Sequence, residues 1–302
     1  MLNRRRFLTI AAAASVAPLG ARAADIHVET GIALGAKVTL RLAHPEARVF
    51  AARAMAEIRR LEAIFSLYQP GSALVRLNRE GRLDAPPAEL LECLSLADAV
   101  HRGSGGAFDP TVQPLWQAYA EAAQNGTKLT PATRAAALER TGWGGVQRSA
   151  GAIALRPGMA LTLNGIAQGL IADRVANLLR AEGLESVLID TGEMAALDGP
   201  PQGGAWHVAL QQGGAVELAN RALATSAPLG MTFAGDGRTS HILDPRSGRP
   251  AAAAWRGITI SAPRAALADA LSTAGCLLST RDEIARMCDG FAGVVLESAV
   301  SA

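Results

Sequence analysis

Aromatic residues are nearly missing from this chain, at 4% of its 302 residues. With so few, Trp116, Trp143, Trp206 and Trp255 read as core anchors rather than ligand platforms. Cysteine is equally sparse: Cys93, Cys276 and Cys288 form no C-x-x-C pair, which removes the usual zinc and dithiol motifs. Cys93 and Cys276 sit in apolar stretches typical of inert thiols, and a Cys276–Cys288 bridge is left open. No basic cluster occurs beyond the first 22 residues, so no nucleic-acid footprint is expected. No apolar run is long enough to span a bilayer comfortably, the one at residues 9–19 being short and Ala-rich. There is no G-x-S-x-G elbow, H-E-x-x-H helix, P-loop or G-x-G-x-x-G turn.

What remains is a core-forming chain. It is 49% hydrophobic and 19% charged, with 31 Gly and 15 Pro. That mixture excludes disorder and implies many turns. The first 23 residues read as a twin-arginine-like signal peptide: Arg4, Arg5 and Arg6, then Phe7 and Leu8, the apolar run, and an Ala21-Arg22-Ala23 end. Export to the periplasm is therefore expected, with no transmembrane segment in the mature chain. The leader holds Arg4, Arg5, Arg6 and Arg22 and no acid, so the balance of 29 basic to 27 acidic residues becomes 25 to 27 without it. Residues 24–302 are expected to form a single domain, or two interlocked subdomains.

Hydrophobic periodicity predicts helices over 46–65, 88–101, 131–141, 166–183, 265–278 and 282–287. It predicts strands over 36–42, 160–163, 187–190, 206–210, 215–218, 223–226 and 257–261, with a late strand at 292–296 closing the core. Turns are expected at Gly31 and Gly213-Gly214, one helical turn at 74–77, and a loop over 78–83. Many short strands with flanking helices argue for an α+β (mixed α/β) fold.

Several residue groups could carry chemistry. Asp269 and Thr273 are four apart in an apolar helix and share a face. A carboxylate and a hydroxyl there could ligate magnesium, or could be a surface Asp and a back-bonded Thr. Asn164, Gly165, Ile166, Ala167, Gln168 and Gly169 mark a strand-to-helix junction, where free amides could hold a phosphate or simply form a tight turn. His241, near Asp244, could position an anion or take a proton near neutral pH. Ser66, Tyr68, Ser72 and Asn78 offer donors around one elbow. Asp109, before Pro110 and Thr111, could merely lead a turn.

In order along the chain, these stretches resemble the ApbE family, the FAD:protein FMN transferases. The resemblance rests on Phe65-Ser66-Leu67-Tyr68 with Ser72 and Asn78; Phe108-Asp109-Pro110-Thr111-Val112; Asn164 to Gly169 with Asp173; Ala224-Thr225-Ser226; His241 to Pro245; and Ala268-Asp269-Ala270-Leu271-Ser272-Thr273. It implies an ApbE-like fold of central mixed or antiparallel sheets with flanking helices. It implies an enzyme using magnesium and FAD that attaches FMN by a phosphoester to a Thr or Ser of a target protein and releases AMP. Asp269, Thr273 and the main-chain oxygen of Ala167 are then the expected metal ligands. Ser66, Tyr68, Asn78, Asp109, Asn164, Gly165, Gln168, Thr225 and His241 are the expected cofactor-binding residues, and His241 and Asp269 the catalytic pair. The family pattern is altered in places: Asn164 replaces the usual Asp, Gln168 the usual Lys, and Thr191-Gly192-Glu193 the usual Gly-Gly-Asp. The Asn164 to Gly169 form, the Ala268-Asp269-Ala270-Leu271-Ser272-Thr273-Ala274 stretch and the leader resemble the NosX branch, associated with a NosR-like membrane target and nitrous oxide reduction. A non-catalytic FAD carrier or assembly factor, or an FAD pyrophosphatase, are the alternatives.

Overall fold

The computed structural model describes residues 26–233 and 237–302; the expected leader lies outside them. The chain starts with a hairpin, β1 (His27–Ala33) and β2 (Ala36–Leu42), paired in full register from His27↔Leu42 to Ala33↔Ala36. Its turn is Leu34-Gly35, with φ of 48° and 80°. Gly31, expected to turn, instead lies within β1, where an added Cβ would fall 2.2 Å from Met55 Cε.

The main sheet has seven strands in the order β1-β2-β6-β7-β10-β13-β14, every neighbouring pair antiparallel. Its later members are β6 (Val187–Asp190), β7 (Met194–Leu197), β10 (Ala222–Ser226), β13 (Trp255–Ala262) and β14 (Val295–Ser301). Three helices pack against one face: α1 (Ala47–Phe65), α6 (Ala167–Ala181) and α7 (Ala265–Gly275). Val187, Ile189, Ala195, Leu197, Ala222 and Ala224 belong to that large core. Leu188, Met194, Ala196 and Leu223, the alternate residues, join Trp206, Val208 and Leu218 in a second core. The second core lies beneath the hairpin of β8 (Trp206–Ala209) and β9 (Ala215–Leu218). The centre of the sheet is thus covered on both faces, and β6 and β7 are buried at every position. Such strands carry no alternation; β6 is still marked by Val187 and Ile189, whereas Met-Ala-Ala-Leu has no β-branched residue, which is why Met194–Leu197 is not legible as a strand. The expected late strand begins at Val295 and forms the sheet edge.

A smaller sheet, β3 (Arg82–Asp84), β5 (Ala152–Leu155) and β4 (Val146–Arg148), extends the other end of the molecule. The short pair β11 (Leu243–Asp244) and β12 (Arg249–Pro250) comes later in the chain, with Leu243 packed against Leu115, Ala118 and Ala137. α2 (Ala73–Glu80) carries Asn78, so the loop expected over 78–83 is instead the end of a helix, a turn at Gly81 with φ 70°, and the start of β3. α3 (Ala88–Gly103) and α8 (Arg281–Asp289) lie where expected, and α5 ends at Leu138 (Pro131–Leu138). α4 (Gln113–Gln124) was not foreseen; Ala at four of its positions leaves Leu115 as its main apolar marker.

Residues 160–163 are extended but form no strand. Their backbone groups are taken elsewhere. Leu161 exchanges two bonds with the Asn78 side-chain amide, at 2.7 and 2.8 Å, and the Thr162 N–H donates to the Pro110 carbonyl at 2.8 Å. Satisfying those groups outside a ladder is what keeps this segment from joining a sheet.

The contact between α6 and α7 depends on Gly169. A Cβ there would lie 2.4 Å from the carbonyl carbon and oxygen of Ala265, which are backbone and cannot rotate away. Asp173, one turn further along α6, accepts the N–H groups of Ala265 (2.6 Å) and Ala266 (3.1 Å) and so caps α7. Gly169→Ala should therefore force the two helices apart and lower stability by about 2–3 kcal/mol, read as a lower urea midpoint; an unchanged midpoint would contradict this packing.

Candidate active site

α7 reads AALADALSTAG, an Ala-rich segment apolar on almost every side. It is buried against α6, β10 and β13, so its one acid goes inside with it. Asp269 is 3% exposed, and its Oδ2 accepts a single long bond from the Gly169 N–H at 3.4 Å. Burial pushes its pKa up to about 8; the Gly169 N–H opposes that shift and Asp173 adds to it. One turn on, the Thr273 hydroxyl lies 3.3 Å from Ser226 Oγ, which is also 2.7 Å from Ser272 Oγ. Gly165 closes over this point: a Cβ there would come within 3.0 Å of Thr273 Oγ1.

These groups line a cavity of about 270 Å³. Its polar lining includes Tyr68, Asp109, Asn164, Gln168, Glu193, Thr225, Ser226, His241, Asp269 and Thr273. No Lys or Arg among the described residues lines it. A wider groove of about 880 Å³ adjoins the cavity, sharing Tyr68, Trp116 and Asn164 with it.

His241 is held by its own loop. Its Nδ1 lies 2.9 Å from the Met231 carbonyl, which can only accept, so Nδ1 carries the hydrogen and Nε2 the lone pair. Burial lowers the imidazole pKa below its ordinary value, against the raising effect of the Met231 and Pro228 carbonyls. A neutral ring that keeps a basic nitrogen suits proton transfer at neutral pH.

The structure brings most of the expected residues together, but several are fully engaged in holding the fold. Ser66 does not line the cavity; its Oγ accepts the N–H groups of Tyr68 (3.0 Å) and Gln69 (3.2 Å) and builds the elbow. Asn78 faces the adjoining groove with its amide locked to Leu161. Asp109 reaches the cavity wall, yet its oxygens accept from Thr111 N (2.8 Å), Thr111 Oγ1 (2.6 Å) and Trp143 N (3.1 Å). Its role is to cap a turn that carries the wall. Ala167 opens α6, is 1% exposed and lies behind the lining. Gln168 Nε2 donates to the Thr191 carbonyl at 3.0 Å, so the side chain standing in the usual Lys position braces the turn after β6. The helix-end amides are only partly free: the Ala167 N–H goes to Leu163 O at 2.8 Å, and that of Gly169 goes to Asp269. Tyr68 is 51% exposed overall, but its buried hydroxyl bonds the Asn164 side chain, and burial raises its pKa. Glu193 and Ser226 complete the wall; the sequence marks Glu193 only as a departure from a pattern.

A family model described as the ApbE family matches residues 34–293. The chain belongs to the ApbE family. Among ApbE relatives, the FAD:protein FMN transferase of Salmonella typhimurium is 29% identical over 238 residues, spanning 72% of this chain and 68% of that protein. That of Treponema pallidum is 28% identical over 286 residues, spanning 82% and 79%. The apo flavinyl transferase ApbE of Pseudomonas stutzeri superposes with a TM-score of 0.78 at 26% identity, covering 94% of this chain and 97% of that one. The apbe protein of Thermotoga maritima superposes at 0.80 with 23% identity, covering 92% and 96%, and shares the fold. The ApbE fold is a mixed α/β arrangement of antiparallel sheets flanked by helices, as expected from the pattern of elements.

The Asp269 environment carries a stability consequence. A carboxyl whose folded pKa is raised keeps a proton that the unfolded chain releases, so metal-free protein loses stability as pH rises from about 4 towards about 8. Asp269→Asn should remove the Asp269 share of that loss, Glu193, Asp173 and Asp190 keeping theirs, and raise the melting temperature of metal-free protein at pH 8 by about 3 °C or more. Scanning calorimetry at pH 5 and pH 8 checks this; equal melting temperatures for the two proteins at pH 8 would refute it.

Proposed function

We propose that this chain is an exported, magnesium-dependent FAD:protein FMN transferase. One observation carries the reading: a cavity whose wall buries Asp269 beside the Thr273 hydroxyl and offers no Lys or Arg among the described residues. The FAD diphosphate is an anion, and this wall gives it no cationic side chain. A divalent cation meets both needs, because it neutralises the diphosphate and answers the nearly unbonded Asp269 carboxylate. No group of three or more His, Cys, Asp or Glu among the described residues is placed to hold a metal. One carboxylate, one hydroxyl and substrate phosphates nevertheless form a usual magnesium environment. Asp269 and Thr273 would hold the ion; Ala167, the third ligand that the family resemblance implies, lies behind the lining. When bound, the ion draws charge from the phosphorus and steadies the leaving phosphate.

The chain's own residues divide the remaining work. Gly165 leaves room beside Thr273, and Asn164 and Tyr68 form the passage to the wider groove. In that passage an acceptor hydroxyl oxygen bonds the FMN phosphorus as the bridging bond to the AMP phosphate breaks. His241 Nε2 takes the hydroxyl proton, and AMP departs. The twin-arginine-like leader supports a periplasmic enzyme. The Asn164 to Gly169 form and the Ala268-Asp269-Ala270-Leu271-Ser272-Thr273-Ala274 stretch support a NosR-like membrane protein as the acceptor.

Incubation of the protein with FAD, magnesium and an acceptor fragment should add one FMN to a Thr or Ser and release one AMP, seen by mass spectrometry. Free FMN and AMP without labelling would make it a pyrophosphatase; tight FAD binding with neither product would make it a carrier. Asp269→Ala should reduce labelling by at least about 100-fold with the fold retained by circular dichroism. His241→Asn should reduce kcat by about 100-fold and remove the loss of rate on the acid side, where the imidazole of the unaltered protein becomes protonated.

A further inference from the structure

Five acids are buried among the described residues: Asp109, Asp173, Asp190, Glu193 and Asp269. Three are provided for. Asp109 accepts three protein donors. Asp173 caps α7 and lies 3.5 Å from Arg264 Nε. Asp190 accepts the Gly192 N–H at 3.0 Å and has Arg41 and Lys37 near enough to stabilise its charge. The other two are not. Asp269 has one long N–H bond. Glu193 is 8% exposed and takes the Thr225 N–H, while its buried Oε2 has no hydrogen-bond partner among the described residues.

These two acids line the same cavity and lie close enough to repel one another. Glu193 comes from the turn after β6, where Gly192 has a φ of 103°; Asp269 comes from α7. A buried unbonded carboxylate oxygen costs several kcal/mol, and two such groups facing one space call for a cation.

We infer that Glu193 supplies a second carboxylate to the divalent cation held by Asp269 and Thr273, clamping the turn after β6 to α7. The inference rests on the cation reading of the site. Two carboxylates and a hydroxyl give an oxygen set that magnesium or manganese accepts before any phosphate arrives. The protein should therefore bind the metal alone, without flavin. Gln168, standing where the family usually has Lys, adds no positive charge to compete with it.

The test is calorimetric titration of flavin-free protein with manganese. The unaltered protein should bind one ion, and Glu193→Gln, which keeps the acceptor for the Thr225 N–H, should weaken that binding at least tenfold. Unchanged manganese affinity in Glu193→Gln overturns the inference, as does failure of the unaltered protein to bind manganese without flavin. Lost FAD affinity with unchanged manganese affinity also overturns it, and assigns Glu193 to the flavin instead. Anomalous diffraction from a manganese-soaked crystal of the unaltered protein decides the matter even where the variant misfolds. A peak within about 5 Å of the Glu193 carboxylate, direct or through one water, is expected; a more distant peak, or none, overturns it. FMN labelling of an acceptor by the unaltered protein, measured in parallel, judges the transferase reading separately.

Discussion

The site is organised by one costly act, the burial of the Asp269 carboxylate where α6 meets α7. The surrounding residues keep that group in place without satisfying it. Gly169 lets the helices touch, Asp173 caps the helix that carries the acid, and Gly165 leaves room beside Thr273. Among the described residues, a single 3.4 Å bond from the Gly169 N–H is all the direct help that the carboxylate receives. Holding a charge in this state is unfavourable for the fold, and in the proposed reading a cation would recover that free energy on binding.

The sheet makes that burial affordable. β6 and β7 are covered on both faces, by helices on one side and the β8–β9 hairpin on the other. A doubly covered sheet gives a rigid floor, and the turn leaving β6 brings Glu193 into the cavity. The remaining wall comes from loops tied down by side chains: Ser66 holds the elbow with Tyr68, Asn78 fastens 160–163, and Asp109 holds the turn before α4. Three residues that a motif suggests as ligand contacts thus build the frame on which contacts depend, as expected where positions must hold to fractions of an ångström.

The altered family positions have a consistent local logic. With Gln168 in place of Lys, the side chain is neutral and long enough to reach the Thr191 carbonyl, so it braces the turn that presents Glu193. Asn164 likewise bonds the Tyr68 hydroxyl at the mouth between cavity and groove. The cavity loses one positive side chain and gains a firmer wall.

Local pattern alone determined the amphipathic helices α1, α3 and α6, the α5 start at Pro131, the β8–β9 hairpin around Gly213-Gly214, and the pairing of Asp269 with Thr273 on one helix face. Each follows from spacing within a few residues. Ordered motifs carried the family. Tertiary structure alone decided that β7 is a strand, that 160–163 is not, and that Asn78 is helical. It alone separated the bonded acids from the unbonded ones. The reason is physical: hydrophobic period records which side of an element faces a core, but a strand buried on both faces has no period. Whether a carboxylate is satisfied depends on donors that arrive from residues about a hundred positions away, as Gly169 does for Asp269.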